Sequence, residues 1–152
     1  MGGTMAYFFL AMAVLAGALV PIQGALNARL GTFLHHPMQA TLVSFLTGLA
    51  ACLVVLLFTH QAFPSMEKLS AVPWHFYCGG FLGAIFVSAM LLLMPKIGIT
   101  NMLAAAIVGQ LIMSTAMDHV GAFGNPVIAL SPTRVLGVLV LFLGLWLIQR
   151  AR

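Results

Sequence analysis

Apolar residues run along this chain in five long blocks, and polar residues gather in the gaps between them. The blocks cover about residues 5–28, 37–59, 73–94, 101–117 and 132–149. A helix rises about 1.5 Å per residue, so crossing a hydrocarbon core of about 30 Å takes roughly 20 residues. Each block meets or approaches that length, which predicts five transmembrane helices. The fourth and fifth are short and are expected to cross steeply or through thinned membrane.

Local signals mark the ends of these helices. Pro37 suits a first helical turn, as does Pro132 after Ser131, and Thr100 suits a cap. Trp74 and Tyr77 fit an interfacial aromatic belt at the start of the third span, which is expected to end before Pro95. The segment Met94–Ile99 predicts a tight turn, hence antiparallel neighbours for spans three and four. His60–Val72 and Asp118–Leu130 carry Pro, Gly, His and charge and are predicted to be interfacial loops. The first block lacks a basic leader and a cleavage site, so it is expected to be retained. With no linker or low-complexity segment, residues 1–152 are expected to form a single five-helix transmembrane domain of all-α class.

Composition supports the same class. Apolar residues are 62% of the chain and charged residues 5%, where a soluble domain needs roughly a quarter charged. Five spans place the termini on opposite sides of the membrane. Arg29, Lys96, Arg150 and Arg152 then fall on the C-terminal side, and Lys68 and Arg134 on the other. That excess favours a cytoplasmic C-terminus but is small, so it permits insertion in both orientations as well as in one. The basic residues form no patch, so the +4 net charge points to lipid headgroups and not to nucleic acid. Cys52 and Cys78 lie in apolar runs and read as packing residues. His35, His36, His60 and His75 have no metal-ligand spacing, and no metal or cofactor is expected.

The polar residues inside the spans are the candidate chemistry. Span one carries Pro21, Gln23 and Asn27. Pro21 lacks an amide proton and is expected to break or kink the helix, freeing backbone beside the two amides, which share a face. This is either a polar site at membrane depth or a packing contact between helices. Span four carries Gln110, Ser114 and Asp118 at four-residue steps, with His119 beside the acid. Asp118 is locally unfavourable at a helix C-terminus, so it calls for a partner or a function, with a solvated interfacial acid as the plain alternative. Arg134 lies on the same side and is a candidate partner. Gly79, Gly80 and Gly83 form a small-residue stripe suited to helix packing. Thr41, Ser44 and Thr47 are weak indicators, because hydroxyls in membrane helices commonly bond the preceding turn. No catalytic motif is present, and an enzyme is not expected.

The succession Gly17–Gly31, Ser44-Phe45 with Gly48, Pro73-Trp74 into Gly79-Gly80-Phe-Leu-Gly83, Gly109-Gln110-Leu111, Asp118-His119-Val-Gly121 and Leu130-Ser-Pro132 resembles the YdcZ family of the drug/metabolite transporter superfamily. The resemblance implies a bacterial inner-membrane protein equivalent to half of a ten-helix transporter. It also implies completion by dimerisation, as an antiparallel homodimer or with a paralogous subunit. By the same resemblance, spans one, three and four would line a central cavity and span five would lie outside it. Related small multidrug transporters use a glutamate deep in their first helix, which this chain lacks. The function expected is a secondary carrier for a small molecule, with Gln23, Asn27, Gln110 and Ser114 contacting substrate and Asp118 with His119 as a gate or proton-sensitive pair. A non-transporting assembly subunit is the alternative.

Overall fold

The computed structural model describes residues 3–150, which leaves Arg152 outside the described residues. The described chain is helical: α1 (Gly3–Phe33), α2 (Pro37–Phe58), α3 (Met66–Ala71), a 3₁₀ turn (Trp74–Cys78), α4 (Gly79–Ile97), α5 (Ile99–Val120), a second 3₁₀ turn (Ala122–Gly124) and α6 (Pro132–Arg150). Five of these segments are long and apolar enough to cross a membrane: Thr4–Phe33, Pro37–Phe58, Trp74–Ile97, Ile99–Val120 and Pro132–Arg150.

Two prolines behave differently from expectation. Pro21 does not break α1, which is assigned as one helix from Gly3 to Phe33. Proline removes a single rung of the ladder, and a membrane helix with the turns on both sides intact tolerates that loss. Pro95 likewise fails to end the third span, because α4 continues to Ile97. The break comes at Gly98, whose φ of 85° and ψ of 157° suit glycine alone. α1 also runs past its predicted end, and Arg29 stacks over Phe33 at 4.9 Å in the added turn.

The segment predicted as a loop between spans two and three contains α3. Ser65 caps it by accepting from the Lys68 amide at 3.3 Å, and Glu67 sits in its first turn. Tyr77 Oη donates to Leu69 O at 2.6 Å, tying the 3₁₀ turn to α3. α2 starts at Pro37 as predicted, with His36 Nδ1 accepting from the Met38 amide.

The chain divides into two compact units, meeting in sequence at Pro95 and Lys96. In the first, α1 lies along α2, and α4 packs on both through side chains. Its core comprises Ala40, Met90, Leu91 and Met94. Gly24 faces the methyl ends of Met90 and Met94, Gly31 faces Leu91, and Gly83 faces Phe45. Thr41 Oγ1 bonds Pro37 O at 3.2 Å and shares a 3.1 Å hydrogen bond with Ser88 Oγ across α2 and α4. Gly79 and Gly80 meet nothing within 4 Å, so of the predicted stripe only Gly83 makes a close contact within this unit.

In the second unit α5 packs against α6. Asn101 is buried at the start of α5, its Nδ2 donating to Ile97 O at 2.9 Å. Gly121 closes α5 in the left-handed region, and an added Cβ there would sit 2.7 Å from Val127 Cγ2. Arg150 stacks over Trp146 at 4.2 Å near the end of α6. In both units large apolar side chains point outward, with Leu15 at 70% and Phe58 at 81% exposure. Such a surface is unstable in water and normal in lipid, where only the polar backbone must be satisfied internally.

Candidate functional site

The first unit holds an open groove of about 440 Å³, lined from α1 by Leu19, Ile22, Gln23, Leu26 and Asn27, and from α2 by Ser44, Thr47 and Gly48. Gln23 and Asn27 are one turn apart on α1, which carries both to this groove through the uninterrupted helix at Pro21. Gln23 is exposed, whereas Asn27 is only 8% exposed. Asn27 Nδ2 donates to Ser44 Oγ at 3.0 Å, joining α1 to α2. Burying an amide without a partner costs about 1–3 kcal/mol, and this bond offsets part of that cost. No ionisable side chain lines the groove.

Ser44 is the residue that sequence reasoning undervalued. A hydroxyl on a membrane helix usually returns to its own backbone, as Thr41, Thr47 and Thr59 do here. Partnership between Asn27 and Ser44 spans 17 residues and depends on how α1 and α2 register. No local pattern marks it.

The other two predicted contacts lie on α5, in the second unit. Gln110 and Ser114 are exposed there, and Ser114 Oγ bonds back to Leu111 O at 3.2 Å. At the end of the same helix, Asp118 finds the partner that its position calls for. Arg134 Nη1 lies 3.2 Å from Asp118 Oδ2, with the side chains 37% and 40% exposed. A pair this open contributes about 0.2–1 kcal/mol at most. The Asp118 carbonyl accepts from the Ile128 amide at 2.8 Å, and His119 Nδ1 accepts from the Leu130 amide at 3.3 Å. The α5–α6 loop is thereby pinned to the last turn of α5. Among the described residues, no group of three His, Cys, Asp or Glu side chains is arranged to hold a metal.

Helices with outward apolar faces and a small, uncharged polar groove define a multi-pass integral membrane protein. Residues 8–147 match the family described as "Putative inner membrane exporter, YdcZ", and the chain belongs to that family. It is 28% identical over 141 residues to the "Inner membrane protein YdcZ" of Escherichia coli (strain K12), covering 93% of this chain and 94% of that protein. No solved structure matches. The chain is thus a multi-pass protein of the bacterial inner membrane.

Proposed function

We propose that this protein is a secondary carrier that moves a small molecule across the inner membrane by alternating access. The observation that carries the reading is the Asn27–Ser44 pair with Gln23 beside it, in a groove within otherwise apolar helices. Polar side chains at membrane depth are costly to expose to lipid, so their concentration along one groove favours a solute path. The family description supports export as the direction.

In this reading Gln23, Asn27, Gln110 and Ser114 contact the substrate, and Asp118 with His119 forms a gate near the membrane surface. Two copies in opposite orientation complete a ten-helix carrier, with a paralogous subunit as the other way to supply the second half. The small difference in basic residues between the two sides permits dual insertion as well as a single orientation.

The test is reconstitution of the chain alone. Compounds that raise its thermal stability in a ligand screen are expected to show saturable flux in proteoliposomes. Gln23→Ala and Asn27→Ala are each expected to lower that flux at least about tenfold, the effect of about 1.4 kcal/mol. Absence of flux for every stabilising compound would overturn the transport reading. A tag at the C-terminus is expected to be accessible from both membrane faces, and labelling from one face alone removes the inverted homodimer.

A further inference from the structure

Ser44 differs from its neighbours on α2 in where its proton goes. Thr41, Thr47 and Thr59 each have a carbonyl partner three or four residues earlier, and Thr41 Oγ1 also meets Ser88 Oγ on α4. Ser44 Oγ instead accepts from Asn27 Nδ2, and its own O–H donates to no carbonyl of α2. On the other side of the pair, Asn27 Oδ1 makes no hydrogen bond among the described residues, and unlike Asn101 Oδ1 it is not sealed from the surroundings. The pair therefore presents free donors, the Ser44 O–H and the second Asn27 N–H, beside a free acceptor, Asn27 Oδ1, in the groove.

Those groups suit a ligand group that donates and accepts at once. A hydroxyl does so, and so does a carboxamide. A carboxylate offers no proton to Asn27 Oδ1, and an ammonium offers no lone pair to Ser44. Either ion would also enter a groove without a counter-charge, since its lining is Leu, Ile, Gly, two amides and two hydroxyls. Leu19, Ile22 and Leu26 supply an apolar wall for the remainder of the molecule.

We infer that Ser44 and Asn27 together select an uncharged ligand carrying a hydroxyl or carboxamide group on a short apolar body. This rests on the groove being the substrate path of the proposed carrier. Ser44 is then a specificity-determining contact, acting as the donor that recognises the ligand oxygen.

The experiment uses the purified full chain in detergent and probes that share one alkyl tail: hexanamide, 1,2-hexanediol, hexanoate and hexylammonium. Binding is titrated by saturation-transfer NMR. The two neutral probes are expected to bind at least about tenfold tighter than either ion, the effect of one to two net hydrogen bonds. Ser44→Ala is expected to weaken both neutral probes about tenfold, while Ser44→Thr, which keeps the hydroxyl, stays within about threefold of the parent. Asn27→Asp installs a charge and is expected to admit hexylammonium. Dioctanoylglycerol carries the same hydroxyl on a lipid, and the tighter of it and hexanediol identifies the ligand as lipid or water-borne. Equal binding of all four probes, no binding of either neutral probe, or an unchanged Ser44→Ala with a native elution profile overturns the inference. Proteoliposome flux is measured separately. Saturable flux without this selectivity leaves a carrier for another substrate class, and selectivity without flux removes the carrier.

Discussion

Arg134 on α6 reaches back to Asp118 on the last turn of α5, with 3.2 Å between guanidinium and carboxylate. The acid sits where the helix dipole opposes it, so the arginine offsets an unfavourable placement. Arg134→Ala is expected to destabilise the detergent-solubilised protein by about 0.5–1 kcal/mol. Asp118→Asn should cost less, because it removes the dipole conflict together with the pair. The double variant should then be more stable than Arg134→Ala alone. Thermal unfolding of the three proteins checks the order, and additive losses would refute this account of the pair.

His119 holds the α5–α6 loop through the Leu130 amide, while the Ile128 amide bonds the Asp118 carbonyl independently of any side chain. His119→Ala is expected to speed hydrogen exchange at Leu130 several-fold and leave Ile128 near its original rate. Equal acceleration at both amides would show that the loop opens as a unit and that the imidazole is not its specific tie.

Gly24 and the pair Gly79-Gly80 make opposite predictions. A Cβ at Gly24 would lie 2.5 Å from Met90 Cε and 2.6 Å from Met94 Cε, whereas Gly79 and Gly80 have open space. Methionine ends can move, so Gly24→Ala should be mild, but Gly24→Val should cost about 1–3 kcal/mol through overpacking. Gly80→Ala should be neutral or slightly stabilising in the same thermal assay, since helix propensity rises. If Gly80→Ala instead disrupts a dimer on size exclusion while Gly24→Val does nothing, close packing through glycine lies between copies.

Gly98 joins α4 to α5 at φ 85° and ψ 157°. An L-residue there is strained, and Gly98→Ala is expected to lower stability by about 1–3 kcal/mol. Thermal unfolding beside the Pro95→Ala variant checks it. Pro95 lies within a continuing helix, and its replacement should be tolerated.

The architecture was legible because its signals are local. Five apolar runs near 20 residues, Pro37 and Ser131-Pro132 at helix starts, and sparse charge between the runs define most of what crosses the membrane. The errors were local too. α3 went unread although Ser65 and Glu67 mark its start, because a six-residue helix has too little pattern to stand out from a loop. Pro21 and Pro95 both lie inside continuous helices, because a single lost rung does not end a helix whose other hydrogen bonds remain.

What the amino-acid order determined by itself is the membrane class, the number of long helices and which residues are polar within them. Tertiary structure alone decided which polar residues meet. Asn27 finds Ser44 across 17 residues and Thr41 finds Ser88 across 47, whereas Arg134 was already a candidate partner for Asp118 from the sequence. Helix-forming tendencies act between residues three or four apart, so the chain itself declares its helices. Pairing between helices depends on their rotation and register, which the packing of Gly24 against Met90 and Met94, and of Gly83 against Phe45, has to set.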